Sequence, residues 1–421
     1  MNESIFVYTY TEVLQTLRKR LREPAPARAQ ILSGPRQVGK TTLLGEIAAE
    51  WAGHAIYAPA DAPEASLSGW WDNLWSNAER LAARHAAVLL IDEIQGLSDW
   101  SRLLKSKLDH VKRLRIPLHV VVSGSSALQL GLGTRETMAG RFERLRLLHW
   151  PARELAQRFQ ISAGAGVEQV VRFGGYPGAV AFLPNYARWR DYIKDSIVEP
   201  AIGRDVLMME AIRKPALLRQ VFAVCVGHPA EIISIQKLCG QLTERGAFET
   251  VAHYLHVLEE ACLVAAVPKY SRKVMRQRAA LPKLVILNNA LLSVMGAQMP
   301  PKAGRDPERW GRWVENACIA LAWNAGQNPC YWRTEPLEVD MVLNGSWGRW
   351  AVEIKTGSYG KRDLASVLEF CRQHTAFRPL VLCEPGYESV ARQAGIVSIA
   401  WPSFLLNGLS PKEIGKSEIG A

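Results

Sequence analysis

The segment Gly34–Thr42, GPRQVGKTT, restricts what this chain can fold into more than any other. A short apolar run, Ala29–Leu32 (AQIL), precedes it and reads as a buried strand; LLGEIAAEWA follows and reads as a helix. Glycines at 34 and 39 allow backbone angles and close approaches that a Cβ would hinder. The loop N–H groups and the helix N-terminus can then point at phosphate oxygens. Gly34, Pro35, Arg36, Gln37, Val38, Gly39, Lys40, Thr41 and Thr42 are therefore the candidate ATP-binding segment. Lys40 would reach the β- and γ-phosphates, and the Thr41 hydroxyl would ligate Mg²⁺.

A second half of the same site follows. Ala86–Gln95 (AAVLLIDEIQ) is a continuous apolar run ending in two acids, the pattern of a parallel strand buried on both faces. Asp92 is the candidate for the Mg²⁺ shell, and Glu93 for the base that polarises the attacking water. Adjacent acids favour ATP hydrolysis with a dedicated base. Leu118–Ser126 (LHVVVSGSS) reads as a strand ending beside Asp92, since ligands gather at the carboxyl ends of strands in such sheets. Ser123 is the candidate polar sensor, with Ser125 as the alternate. Arg141 follows a glycine and is a candidate for transition-state charge, in cis or from a neighbouring subunit; the alternative is a surface pair with Glu143 or Glu136.

SGPRQVGKTTLL, LLIDEIQGLSDWSRLLKSKLD and SGSSALQLGLGTRETMAGRFERLRLLHWPAREL together resemble the AAA-14 family of bacterial and archaeal AAA+-like P-loop ATPases. FGGYPGAV (Phe173–Val180) and DYIKDSIVEPAIGRDV (Asp191–Val206) are similar to the connection into that family's usual C-terminal partner, the DUF4143 region. The resemblance implies ATP binding and hydrolysis.

Residues 155–207 show helical spacing and read as a helical lid plus linker. Further on, Ser234 is a plausible N-cap for a helix, Phe248–Glu260 reads as a second helix with Val251, Tyr254, Leu255 and Leu258 on its apolar face, and CLVAAVP reads as a strand. Helix, tight turn, helix, strand is a winged helix-turn-helix pattern. Glu249, Thr250, His253 and His256 on the second helix suit phosphate poorly. The stretch after it holds Lys269, Arg272, Lys273, Arg276, Arg278 and Lys283 without an acid and suits a DNA backbone. The alternative is a packing module with a solvated basic loop. PKLVILNNALLSVM resembles a family segment that usually carries an acid where Asn288 stands, which points to a structural turn there.

The C-terminal third reads as helix Gly311–Gly326, strands within Tyr331–Leu343, strand Arg349–Gly357, a helix in RDLASVLEFCRQH and a strand in RPLVLCE. This α-β-β-β-α-β order, with Glu315, Asp340, Glu353 and Lys355, resembles the PD-(D/E)xK nuclease superfamily. Asp340 and Glu353 on adjacent strands would share a Mg²⁺ or Mn²⁺ ion, with Glu315 completing the shell and Glu338 a weaker candidate. Residues two apart on a strand share a face, so Lys355 would sit beside Glu353 and orient the nucleophile.

The chain has 421 residues and a net charge of +11, which suits several domains and a polyanionic partner such as DNA. Charged residues at 22% and apolar residues at 48% exclude wholesale disorder. Seven cysteines without Cys-x-x-Cys spacing read as reduced thiols of a cytoplasmic protein, with no zinc site. No secretory signal or membrane span is legible.

The expected fold class is thus α/β: a P-loop NTPase with an AAA+/ASCE-type parallel sheet (1–155), a helical lid or linker (156–207), a winged-helix module (208–290) and a restriction-endonuclease-like domain (305–405). The expected function is an ATPase coupled to DNA binding or processing through the C-terminal domain, with homo-oligomerisation left open. The alternative is a nucleotide-switched binding protein whose nuclease fold is inactive and which acts through protein partners.

Overall fold

The computed structural model describes residues 9–125, 138–205, 212–243, 248–271, 281–296 and 298–409, without the side chains of 204 and 205. These residues divide into two compact units. One comes from Val7–Leu148 with Glu199–Ile212, the other from His149–Val198 with Arg213–Ala421.

In the N-terminal unit, helix α1 (Tyr10–Arg20) leads into strand β1 (Ala29–Ser33), α2 (Lys40–Glu50), β2 (Ala55–Pro59), α3 (Trp70–Ala82), β3 (Ala87–Asp92), α4 (Trp100–Leu114), β4 (Leu118–Gly124) and β5 (Phe142–Arg146). The Thr9 hydroxyl caps α1 and Glu12 returns the bond, which satisfies two otherwise orphaned N–H groups. The strands form one sheet in the order β2-β3-β4-β1-β5, with every pairing parallel. All residues of β1, β3 and β4 are buried, as expected of apolar runs covered on both faces. Helix α4 turns Leu104, Leu108 and Val111 inward at helical spacing, and Trp75 of α3 is fully buried in the same core. Because β4 lies between β1 and β3, the ends of all three strands meet along one sheet edge.

The C-terminal unit starts with helices Ala152–Phe159, Ala163–Phe173 and Tyr186–Ile193. The first two pack on helix Trp401–Asn407, and the second also on Pro307–Asn324, all within the C-terminal unit.

Helices Pro215–Gly227, Ile235–Gly240 and Phe248–Glu260 then pack with an antiparallel sheet of β6 (Glu231–Ile232), β7 (Val264–Val267) and β8 (Lys283–Ile286), in the order β6-β8-β7. Ser234 caps its helix by accepting from the Lys237 N–H at 2.9 Å.

The final sheet runs β13-β12-β11-β10-β9, from β9 (Cys330–Thr334), β10 (Leu337–Gly345), β11 (Gly348–Lys355), β12 (Arg378–Cys383) and β13 (Val397–Ala400). β9, β10 and β11 pair antiparallel, and β11, β12 and β13 pair parallel. The register between β9 and β10 shifts between Val339 and Val342, so Asp340 sits at an irregularity of the kind that re-aims side chains.

Buried amides join these layers. Asn316 is fully buried; its Nδ2 donates to the Ile286 carbonyl at 2.7 Å and its Oδ1 accepts the Ile286 N–H at 2.9 Å. Asn288 Oδ1 accepts the Gly175 N–H at 3.2 Å, and its amide lies 3.0 Å from His149 Nδ1. The turn expected at Asn288 is therefore also an internal polar hub. Among the described residues, no helix is long and apolar enough to cross a membrane.

Candidate nucleotide site and C-terminal acidic cluster

The loop after β1 is held by close backbone contact. A Cβ on Gly34 would lie 1.8 Å from the Leu147 carbonyl oxygen, and the Leu147 N–H donates to the Ser33 carbonyl at 2.9 Å. Gly34 is thus required by the approach of the chain leaving β5. Gly39 caps α2 with φ +96°, and Gln37 is also left-handed at φ +59°. Lys40 is buried, and its Nζ donates to the carbonyls of Gly34 at 3.1 Å and Pro35 at 2.8 Å.

The acids stand across from this loop. Asp92 is buried, and its Oδ2 accepts from the Thr41 hydroxyl at 2.7 Å and from the Tyr57 hydroxyl at 2.8 Å. Its Oδ1 accepts from the Ser123 hydroxyl and from the Glu93 N–H at 3.2 Å. Burial, and then the bond to Asp92, holds the Tyr57 hydroxyl well above its usual pKa. Glu93 adopts a left-handed backbone (φ +51°), and its carboxylate accepts from the Gln95 side-chain amide. Ser33 and Ser125, at the ends of β1 and β4, carry buried hydroxyls without a hydrogen-bond partner among the described residues. Unsatisfied buried donors beside a glycine loop suit phosphate oxygens. The Thr41 hydroxyl and Asp92 carboxylate are hard oxygen donors that suit Mg²⁺.

Lys40, Thr41, Asp92, Glu93 and Ser123 therefore come together, but Arg141 does not. It precedes β5 at the sheet end opposite the loop, about 15 Å away at strand rise. Its guanidinium grips Asp109 of α4, Nε to Oδ1 at 2.7 Å and Nη2 to Oδ2 at 3.2 Å. In this chain Arg141 thus stands away from the loop, and among the described residues its acidic partner is Asp109 rather than Glu143; Glu136 lies outside the described residues. Tyr57 and Gln95 were not legible as site residues. Gln95 could have been suspected from its position two residues beyond Glu93.

The C-terminal acids are brought together, but around a lysine. Lys283 of β8 is 1% exposed. Its Nζ lies 2.8 Å from Glu315 Oε1, 3.1 Å from Glu338 Oε1 and 3.9 Å from Asp340 Oδ1. Burial alone would lower its pKa, but the charges of Glu315, Asp340 and Glu338 outweigh burial and hold it charged. Burial pushes Glu315 up to about 7 despite the pull of Lys283. Glu353 is paired separately with Lys355 at 2.8 Å, as the two-residue spacing implied, and burial followed by the Asp340 charge pushes it up to about 8. Asp340 Oδ2 accepts the Ile354 N–H at 2.8 Å.

One expectation is corrected here. Lys283 is buried and does not belong to a solvated DNA-facing stretch. Glu315 and Asp340 face Lys283, and Glu353 pairs with Lys355. Among the described residues, no group of three or more His, Cys, Asp or Glu side chains is arranged to hold a metal ion. Of the basic stretch, Lys269 is half-buried, and its residue forms a backbone bridge with Tyr331; Arg272, Lys273, Arg276 and Arg278 lie outside the described residues. Glu249, His253 and His256 form an exposed face of their helix.

Comparison with known proteins agrees with the N-terminal geometry. The AAA-14 family model, described as an AAA domain, matches residues 26–156. Two domains of unknown function follow, DUF8612 over 165–302 and DUF4143 over 310–404. The boundary expected at 207–208 falls inside the DUF8612 match. Uncharacterized proteins of Mycobacterium tuberculosis and Mycobacterium bovis are each 26% identical over 341 residues, covering 78% of this chain and 70% of theirs. A solved Walker-type ATPase of Pyrococcus abyssi is 15% identical with a TM-score of 0.46, covering 69% of this chain and 96% of that one. Residues 26–156 thus match the AAA-14 family of AAA domains, and residues 310–404 match the DUF4143 family.

Proposed function

We propose that this protein binds and hydrolyses ATP in its AAA domain and uses the nucleotide state to control DNA engagement by its C-terminal unit. The observation that carries the ATPase reading is the hydrogen-bonded set Thr41–Asp92–Ser123 at the edge of a parallel sheet, facing a loop that ends in Lys40. Lys40 leaves its loop carbonyls for the phosphates. Thr41 and Asp92 would hold a Mg²⁺ ion, which would supply neutralisation of phosphate charge. Glu93 accepts the proton of the attacking water, and Gln95 holds its carboxylate until then. Ser123 positions both Asp92 and the Glu93 backbone.

The DNA reading is supported by the element order of residues 215–286, three helices with a three-stranded antiparallel sheet, which suits a winged helix. The sequence 269–278 adds five basic residues, Lys269, Arg272, Lys273, Arg276 and Arg278, and no acid. ATP turnover and DNA affinity, measured together with single- and double-stranded DNA, test the coupling. Affinity should differ between ATP and ADP and fall with salt; equal affinity in both states would remove the coupling. The paired C-terminal acids favour the version in which the nuclease-like domain binds without cutting. An arginine contribution across a subunit boundary, from Arg141 of a second copy, is compatible with its half-buried position.

A further inference from the structure

An ammonium group 1% exposed on a strand whose other residues are all buried is strongly penalised unless acids surround it. Three acids gathered from helix Pro307–Asn324 and strand β10 equally require a cation between them. Each need is met by the other: Lys283 Nζ contacts Glu315 at 2.8 Å and Glu338 at 3.1 Å, approaches Asp340 Oδ1 at 3.9 Å, and donates to the Asp340 carbonyl at 3.3 Å. A nuclease-like acid set would hold a divalent ion here at roughly 2.0–2.6 Å from the same oxygens. An ammonium against the Glu315 and Glu338 oxygens, and 3.9 Å from Asp340 Oδ1, both fills that space and repels a second cation.

We propose that Lys283 is a built-in cation occupying the metal position of the C-terminal acidic cluster. It joins β8 to helix Pro307–Asn324 and strand β10 without a divalent ion, so this domain is a non-cutting binding scaffold. This deepens the non-cutting reading above and depends on it, but not on ATP turnover or DNA affinity.

Mn²⁺ binding, followed by electron paramagnetic resonance on the nucleotide-free full chain carrying Asp92→Asn, tests it. The chain with Lys283 should bind no Mn²⁺ at the cluster, and neither its melting temperature nor added DNA should change with the ion. Lys283→Met should gain one Mn²⁺ site together with an Mn²⁺-dependent rise in melting temperature, and Lys283→Met/Asp340→Asn should lose both. A Mn²⁺ site in the Lys283 chain that Asp340→Asn abolishes, Asp340-dependent DNA cutting, or a folded Lys283→Met that gains no site would each overturn the proposal. Should Lys283→Met fail to fold, the comparison of the Lys283 chain with Asp340→Asn still decides. Loss of DNA affinity alone would remove the DNA reading and leave this assignment standing.

Discussion

The Thr41 hydroxyl donates to Asp92 Oδ2 at 2.7 Å, joining the first turn of α2 to the end of β3. The two oxygens that suit Mg²⁺ are therefore preset against one another before nucleotide arrives. Thr41→Val removes one of them and leaves the carboxylate a donor short. Hydrogen bonds to charged groups contribute about 1.5–3 kcal/mol, so Mg·ATP affinity should fall by roughly 10- to 150-fold. ATP in EDTA should be affected much less. Titration calorimetry with and without the ion checks this.

Gly34→Ala places a methyl group 1.8 Å from the Leu147 carbonyl oxygen. Neither backbone can move without displacing β1 or the end of β5. Overpacking of this kind costs about 1–3 kcal/mol. The variant should melt at a lower temperature and bind ATP weakly, whereas Gly45→Ala, whose Cβ meets nothing, should behave as the parent.

Arg141→Ala should leave ATP turnover per chain unchanged in dilute solution, because Arg141 pairs with Asp109 at the opposite sheet end from the loop. If a second copy supplies Arg141, the loss should emerge only as concentration rises and the chain assembles. Turnover followed across a concentration series separates the two cases.

His149 is buried beside Asn288 and the Cys262 carbonyl, 3.0 Å from each, and burial pushes its pKa down to about 4 against a smaller upward pull from that carbonyl. The unfolded chain, near 6.5, takes up the proton first. The stabilisation is therefore full above about pH 6.5 and is lost as pH falls toward 4, on the order of 3 kcal/mol in all. Denaturant unfolding of the C-terminal unit should show this slope, and His149→Gln should flatten it. Asn288→Asp should raise the His149 pKa in an NMR titration by adding charge beside Nδ1.

The gathering of Lys40, Thr41, Asp92 and Ser123 was largely legible because its signals are local: glycines at fixed spacing, an apolar strand ending in Asp92-Glu93, and a second strand ending at Ser123. The C-terminal element order was legible for the same reason, as turns and alternation mark it. Long-range pairing was not. Arg141 meets Asp109, 32 residues away, through the packing of α4, and nothing in the composition around Arg141 selects that acid. Lys283 was read with its basic neighbours, although it stands in an apolar strand where a charge must either leave the sheet or find acids inside. Its acids arrive from residues 315, 338 and 340, so only the tertiary fold reveals the pairing.

The central claim is hydrolysis by Glu93 at the site built from Lys40, Thr41 and Asp92. Single-turnover hydrolysis of ATP by the full chain and by Glu93→Gln, with nucleotide affinity measured in parallel, tests it most directly. Removing a general base costs about 10²–10⁴ in rate. Glu93→Gln should bind ATP as the parent does and hydrolyse it at least about a hundredfold more slowly. Equal rates in the two proteins would contradict the account.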